Sequence, residues 1–331
     1  MLIFLQYVGG FILAIIILLF IGYVYLKMKF GKFLGANTDQ TPIIIHLNED
    51  LVTPEWLEKP KATKLIANLE NLGFNKGKPY RIQEMDGVSL LSFFKNSYIA
   101  VVYNHPIAGN WIDIVFETED EHHYTASNAP MGGELSTSAK DIKTFEPNAT
   151  VEEIFSLIRE QTHDKQGILV NNENFKAFFE NAYKREMVWK ALQGGTSREE
   201  FDKIAENSKI KISDKNSEKA FTETKKQELD VWSEYGVNEF LKEKNEDDFE
   251  GSLFIVPENT HPCAFIEYLS EYGMIEEEQV GKLCQKFNSK SIGSIFEILN
   301  AALSPELKAT KIGKITFPIK ADVYQKKWSD Y

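Results

Sequence analysis

From Met1 to Leu26 the chain carries no Asp, Glu, Lys or Arg, and its centre, Phe11 to Phe20, is an unbroken run of aliphatic and aromatic side chains. A helix rises about 1.5 Å per residue, so the roughly 24 residues of 3–26 reach ~36 Å, enough to cross a ~30 Å hydrocarbon core with some tilt. In hydrocarbon the backbone has no water to bond, and a helix satisfies its own N–H and C=O groups. Ile3, Phe11, Ile15, Ile17, Leu19, Phe20 and Leu26 carry the expected anchor, with Tyr7, Tyr23 and Tyr25 toward the two interfaces.

A cleaved signal peptide would show a basic start, an apolar core of about 7–15 residues and a small-residue cleavage site. Here no basic residue precedes the run, and Tyr-Val-Tyr-Leu-Lys-Met-Lys follows it. The segment therefore reads as a signal-anchor. Lys27, Lys29 and Lys32 come directly after it. The positive-inside rule then puts the N-terminus outside and the rest of the chain in the cytoplasm, at a bacterial inner membrane.

Beyond the anchor, the period of the apolar residues separates the regions. Ala62, Leu65, Ile66, Leu69 and Leu72 recur at helical spacing before Gly73. Strand-like runs follow at Pro79–Met85, Ser97–Tyr103, Asn110–Thr118 and His122–Ser127. Connections this short predict antiparallel pairing. Pro42–Leu47 is a further candidate strand, and Thr53-Pro54 a helix or turn start. Thr150-Val-Glu-Glu153 and Ser197-Arg-Glu-Glu200 have the spacing of capping boxes. Phe175, Phe178, Phe179, Ala182 and Tyr183 open a helix whose aromatic stripe reads as core, and 217–244 is a charged helical stretch after a hinge near 207–219. Ser252–Val256, a helix capped by Thr260, helices at 276–287 and 291–303, and an alternating run from Lys314 to Val323 complete the chain.

The expected class is α+β. Its parts are a transmembrane helix (1–26), a juxtamembrane linker (27–41), a domain of helix plus antiparallel β-meander (42–165), a helical region (166–250) and a C-terminal α+β segment (251–331).

With 37 Lys+Arg against 49 Asp+Glu the formal charge is −12, which repels nucleic-acid phosphates. The two cysteines, Cys263 and Cys284, make no disulfide framework or zinc pattern and agree with a reducing compartment. No cofactor motif is present: Gly132-Gly133 and Gly194-Gly195 lack dinucleotide or phosphate-loop spacing. His122-His123 after Glu119-Asp-Glu121 is the most metal-like cluster, yet adjacent residues of a strand face opposite ways, so no metal site is expected. The candidate catalytic group is His105, Asp113 and His122, which would meet if their strands are neighbours in a suitable register.

The leading expectation is a non-enzymatic protein, anchored in the bilayer, that binds another protein at the cytoplasmic membrane face. The rival is an anchored hydrolase, or a small-ligand or lipid-binding protein, using the loops around His105 and His122.

Overall fold

The computed structural model describes residues 41–130, 132–133, 135–207, 214–244, 252–256, 260–287, 309–312, 315–318 and 321–325. The expected anchor, nearly all of the linker and the expected helix at 291–303 lie outside the described residues. Among the described residues no helix is long and apolar enough to cross a membrane.

The body is α+β, organised by a seven-stranded sheet in sequence order. Its strands are β1 (Leu47–Glu49), β2 (Asn75–Ile82), β3 (Ser89–Lys95), β4 (Tyr98–His105), β5 (Gly109–Glu117), β6 (His123–Ser127) and β7 (Asp141–Phe145). β1 through β6 pair antiparallel, and from β2 onward short connections require it. β7 departs from the expected meander by joining β6 parallel. Residues 128–140, a connection much longer than a hairpin, return the chain to the end at which β6 began.

Helices cover both faces of the sheet. Helices α1 (Pro60–Asn71) and α2 (Val151–Thr162) pack on one face, where Leu91, Phe93, Ala100, Val102, Ile112, Ile114 and Phe116 meet Leu65, Leu69, Ile154 and Ile158. Helix α3 (Phe175–Leu192) covers the other, with Phe175, Phe178, Phe179 and Tyr183 against Tyr80, Leu90, Phe94, Ile99 and Val101. Strand β3 escapes a search for alternation because both its faces are buried, and Ser89-Leu-Leu-Ser-Phe-Phe-Lys95 shows no alternation to detect.

α3 is itself buried on two sides. Met187, Val188 and Ala191, in its last turns, pack against Val231, Trp232 and Tyr235 of α5 (Asp214–Lys244) and against Ile43. Between them α4 (Arg198–Asn207) starts on the expected capping box: Ser197 N–H donates to Glu200 Oε2 at 2.6 Å and Glu200 N–H to Ser197 Oγ at 3.2 Å. The box at Thr150/Glu153 is likewise formed at the start of α2.

Residues 42–46 are not the expected strand. They form an extended strap whose apolar side chains leave the ladder for the helices: Ile43 enters the α3–α5 cluster and Ile45 the sheet–α3 core. Side chains hold the strap and its junction with β1: Tyr183 Oη donates to Pro42 O at 2.9 Å, His46 N–H to Glu84 Oε2 at 2.7 Å, and Leu47 N–H to Glu180 Oε1 at 2.7 Å.

Toward the C-terminus come β8 (Ser252–Val256), α6 (Pro262–Glu271), α7 (Glu277–Phe287), β9 (Ala309–Ile312), β10 (Ile315–Pro318) and β11 (Ala321–Gln325). The alternating run at 314–323 is two strands with different partners: β10 pairs antiparallel with β9, and β11 parallel with β8. Two expected caps move. Pro54 precedes a short 3-10 turn (Glu55–Glu58) with no side-chain cap. His261, not Thr260, caps α6, because Pro262 occupies the first helical position and makes the residue before it the cap.

Phe175, fully buried between Tyr80, Phe94 and Phe179, is the main contact of α3 with the sheet. Phe175→Ala is expected to lower the unfolding free energy by about 3–5 kcal/mol in denaturant titration of the full chain. An unchanged midpoint would show that α3 does not hold this face.

Candidate functional site

β5 alternates as its sequence suggests. Ile112, Ile114 and Phe116 enter the α1/α2 core, which turns Trp111, Asp113, Val115 and Glu117 toward the α3 side. The register then decides which polar groups meet: Asp113 lies opposite Ser127, and Glu117 opposite His123. On β7, Lys143 is beside Thr125 and Asp141 beside His123. The apolar cover of α3 ends here, and Arg185 and Glu186 of α3 reach this polar stripe.

Two clusters result. In the first, Ser127 Oγ donates to Asp113 Oδ1 at 2.5 Å, and Ala129 N–H donates to Ser127 Oγ at 3.0 Å. The Tyr103 hydroxyl also donates to Asp113, while its ring stacks on Trp111 at 4.8 Å. The nearby Lys143 ammonium is paired with Glu186. Burial pushes Asp113 up to about 6, against the pull of Ser127, Lys143 and Tyr103. In the second cluster Arg185 Nη2 donates to His123 Nε2 at 2.6 Å, and His123 Nδ1 lies 3.1 Å from Glu117 Oε2. That chain fits a neutral imidazole protonated at Nδ1. Burial, with the Arg185 charge beside it, pushes His123 down to about 4.

The β5–β6 turn presents a different surface. Thr118 Oγ1 donates to Asp120 Oδ1 at 2.5 Å, and His122 Nδ1 lies 3.0 Å from Asp120 Oδ2. The Thr118 hydroxyl and the adjacent imidazole hold Asp120 below the usual carboxylate range, against a smaller desolvation effect. Thr118, Glu119, Asp120, His122, Tyr124, Lys165 and Gln166 line a cleft of about 410 Å³. Lys165 Nζ stands 5.4 Å from the Tyr124 ring centroid. Gly167, next to the lining residue Gln166, bridges Thr118 at close approach, where a Cβ would come within 2.6 Å of Phe116 and Ser97. A carboxylate on Nδ1 leaves Nε2 as the available base, and the ammonium is a donor for developing negative charge.

The register does not bring the three candidate catalytic residues together. His105 pairs with Gly109 at one end of β5, where its Nδ1 accepts from Ile107 and Ala108 N–H at 3.1 and 3.0 Å and so caps the hairpin. His122 follows the other end, about eight residues or roughly 26 Å of strand away. Asp113 lies between them, turned into the α3 side and bonded to Ser127. The adjacent histidines face opposite ways, the His122 side chain 37% exposed and that of His123 10%. Among the described residues no group of His, Cys, Asp and Glu is placed to hold a metal. Glu117 and Arg185 were missed by sequence reasoning, and His123 was noticed only as half of the His122-His123 pair. Their one signal, the pairing of Glu117 with His123, needs the length of the turn between β5 and β6.

No protein-family model, curated protein or solved structure matches this chain.

Asp113 and His123 give opposite pH dependences. A carboxyl raised in the fold is ionised more readily when unfolded, so Asp113 lowers stability as pH rises from 3.8 toward about 6. A lowered imidazole is protonated more readily when unfolded, so His123 lowers stability as pH falls from 6.5 toward about 4. Asp113→Asn keeps an acceptor for Ser127 and removes the first effect. Between pH 4 and 7 it is expected to gain roughly 2 kcal/mol relative to wild type. Parallel curves of unfolding midpoint against pH would show that Asp113 does not titrate in this range.

Proposed function

We propose that the chain is a single-pass membrane-anchored protein whose body binds another protein at the cytoplasmic face of the membrane. The uncharged run 3–26 and the lysines after it support the anchor and its orientation. The observation that carries the binding reading is the Leu51-Val52 pair, two adjacent aliphatic side chains 93% and 80% exposed, the highest exposures among the described large hydrophobic residues. The pair stands on the connection after β1, beside Glu49 and Asp50, which are held by Lys78 and Arg81. A partner with an apolar socket covers the two side chains, and the net charge of −12 favours one of opposite sign.

Crosslinking in intact cells tests this reading. The tagged full chain is expected to give a discrete crosslinked species, and the double variant Leu51→Asp, Val52→Asp to lose it at equal abundance. Protease added to spheroplasts is expected to spare a C-terminal tag. Digestion of the tag, or a species indifferent to the double variant, would overturn the reading.

The cleft favours a second reading, an anchored hydrolase. His122, oriented by Asp120, takes a proton from water as the water oxygen attacks an ester carbon or phosphorus, and Lys165 stabilises the oxyanion; the C–O or P–O bond to the alcohol then breaks and the His122 imidazolium returns its proton to the departing alkoxide. On this reading His122→Ala loses about 100-fold or more in turnover of an ester or phosphoester panel with an unchanged unfolding midpoint. Lack of turnover by the wild-type chain would remove it.

A further inference from the structure

Folding places the chain's two cysteines against each other. α6 and α7 are joined by a short turn, in which Gly273 ends α6 with φ 70° and Ile275 is buried. Helices joined this tightly pack antiparallel, so a residue at the start of α6 lies opposite one near the end of α7. Those residues are Cys263 and Cys284. The Cys284 thiol donates to the Cys263 carbonyl, Sγ to O 4.0 Å, which sets it beside the Cys263 side chain. Both are half-buried, which leaves a path for a small reagent.

The two sulfurs occupy unequal positions. Cys263 lies in the first turn of α6, after the His261 cap, whose ring accepts from Ala264 N–H at 3.3 Å. Unpaired N–H groups of a helix start favour a thiolate there. The Cys284 thiol donating to Cys263 lowers the Cys263 pKa, while burial and the charges of Glu267 and Glu218 oppose that change. The same pairing, together with burial, pushes Cys284 far up. Its place in the first turn of α6 makes Cys263 the nucleophile, and Cys284, a donor to the Cys263 carbonyl, keeps its proton. Among the described residues no His, Asp or Glu joins the pair in a metal-ligating group.

We infer that Cys263 and Cys284 are an oxidisable dithiol that reduces hydroperoxides and closes to a reversible intramolecular disulfide. The Cys263 thiolate attacks the distal peroxide oxygen, the O–O bond breaks, and the alkoxide or hydroxide leaving group takes a proton. Cys263 is then a sulfenic acid. Cys284 sulfur attacks Cys263 sulfur, the S–O bond breaks, water leaves with the Cys284 proton, and the S–S bond forms. Two electrons pass from the thiols to the peroxide, and a dithiol reductant restores them by exchange. The site is separate from the β5–β6 turn and does not depend on which side of the membrane the body faces.

The test uses the full chain in detergent micelles, reduced and then exposed to stoichiometric hydrogen peroxide. Intact-mass and peptide analysis of the wild type is expected to show loss of two hydrogens and a 263–284 crosslink that dithiothreitol reverses. Cys284→Ser is expected to stop at a sulfenic acid on Cys263, trapped by a 1,3-dione. Cys263→Ser is expected to lose its remaining thiol at least about tenfold more slowly than wild type. Unreacted thiols, separate sulfinic acids or disulfides between chains in the wild type would overturn the inference. So would a sulfenic acid forming on Cys284 of the Cys263→Ser variant at the wild-type rate.

Discussion

The fold depends on α3 being apolar on two sides. Its first half closes the second face of the sheet through Phe175, Phe178, Phe179 and Tyr183, and its last turns form the floor for Trp232 and Tyr235 of α5. A helix used this way has no single apolar stripe, and the sheet beneath it has no solvent face. The strap completes the arrangement: Ile43 and Ile45 enter the two cores that α3 separates. Tyr183 holds the Pro42 carbonyl and Glu180 the Leu47 amide, which fastens both ends of the strap to α3.

The limit of that apolar cover decides where chemistry collects. Where α3 passes β5, β6 and β7 its side chains change from Phe179 and Tyr183 to Arg185 and Glu186, and the sheet residues change with them to Asp113, Glu117, Ser127, His123 and Lys143. Buried polar groups need partners, and these have them in a chain of donors and acceptors. The clusters trade stability against fixed geometry, because burial makes the charged form of Asp113 and of His123 costlier than it is in water. A turn away, the same strands present the opposite environment. The Asp120–His122 pair is open to a cleft, with an imidazole nitrogen directed by a carboxylate and free of internal partners on its other side.

The C-terminal helices show how placement gives two ordinary residues a joint property. Cys263 and Cys284 are far apart in sequence and unremarked by any motif, and the α6–α7 turn makes them neighbours with different proton affinities. Leu51-Val52 shows the converse: an apolar pair, between β1 and the 3-10 turn, that enters none of the cores.

The sequence by itself determined the α+β class, the helix before Gly73, the hairpin order of β4 to β6 and both capping boxes, since each rests on residues within a few positions of one another. The uncharged N-terminal run is equally local, and its reading as an anchor comes from the sequence alone. Tertiary structure decided the rest. β3 carries apolar residues on both faces, so no period distinguishes it, and the parallel entry of β7 follows a long connection with no local signal. Residues 42–46 look like a strand by composition and become a strap because two helical clusters compete for their side chains. For the site, alternation along β5 was legible and the identity of its partners was not. Register moved His105 and His122 to opposite ends of the strand and paired Glu117 with His123, and register is set by turn length and by packing on both faces of the sheet.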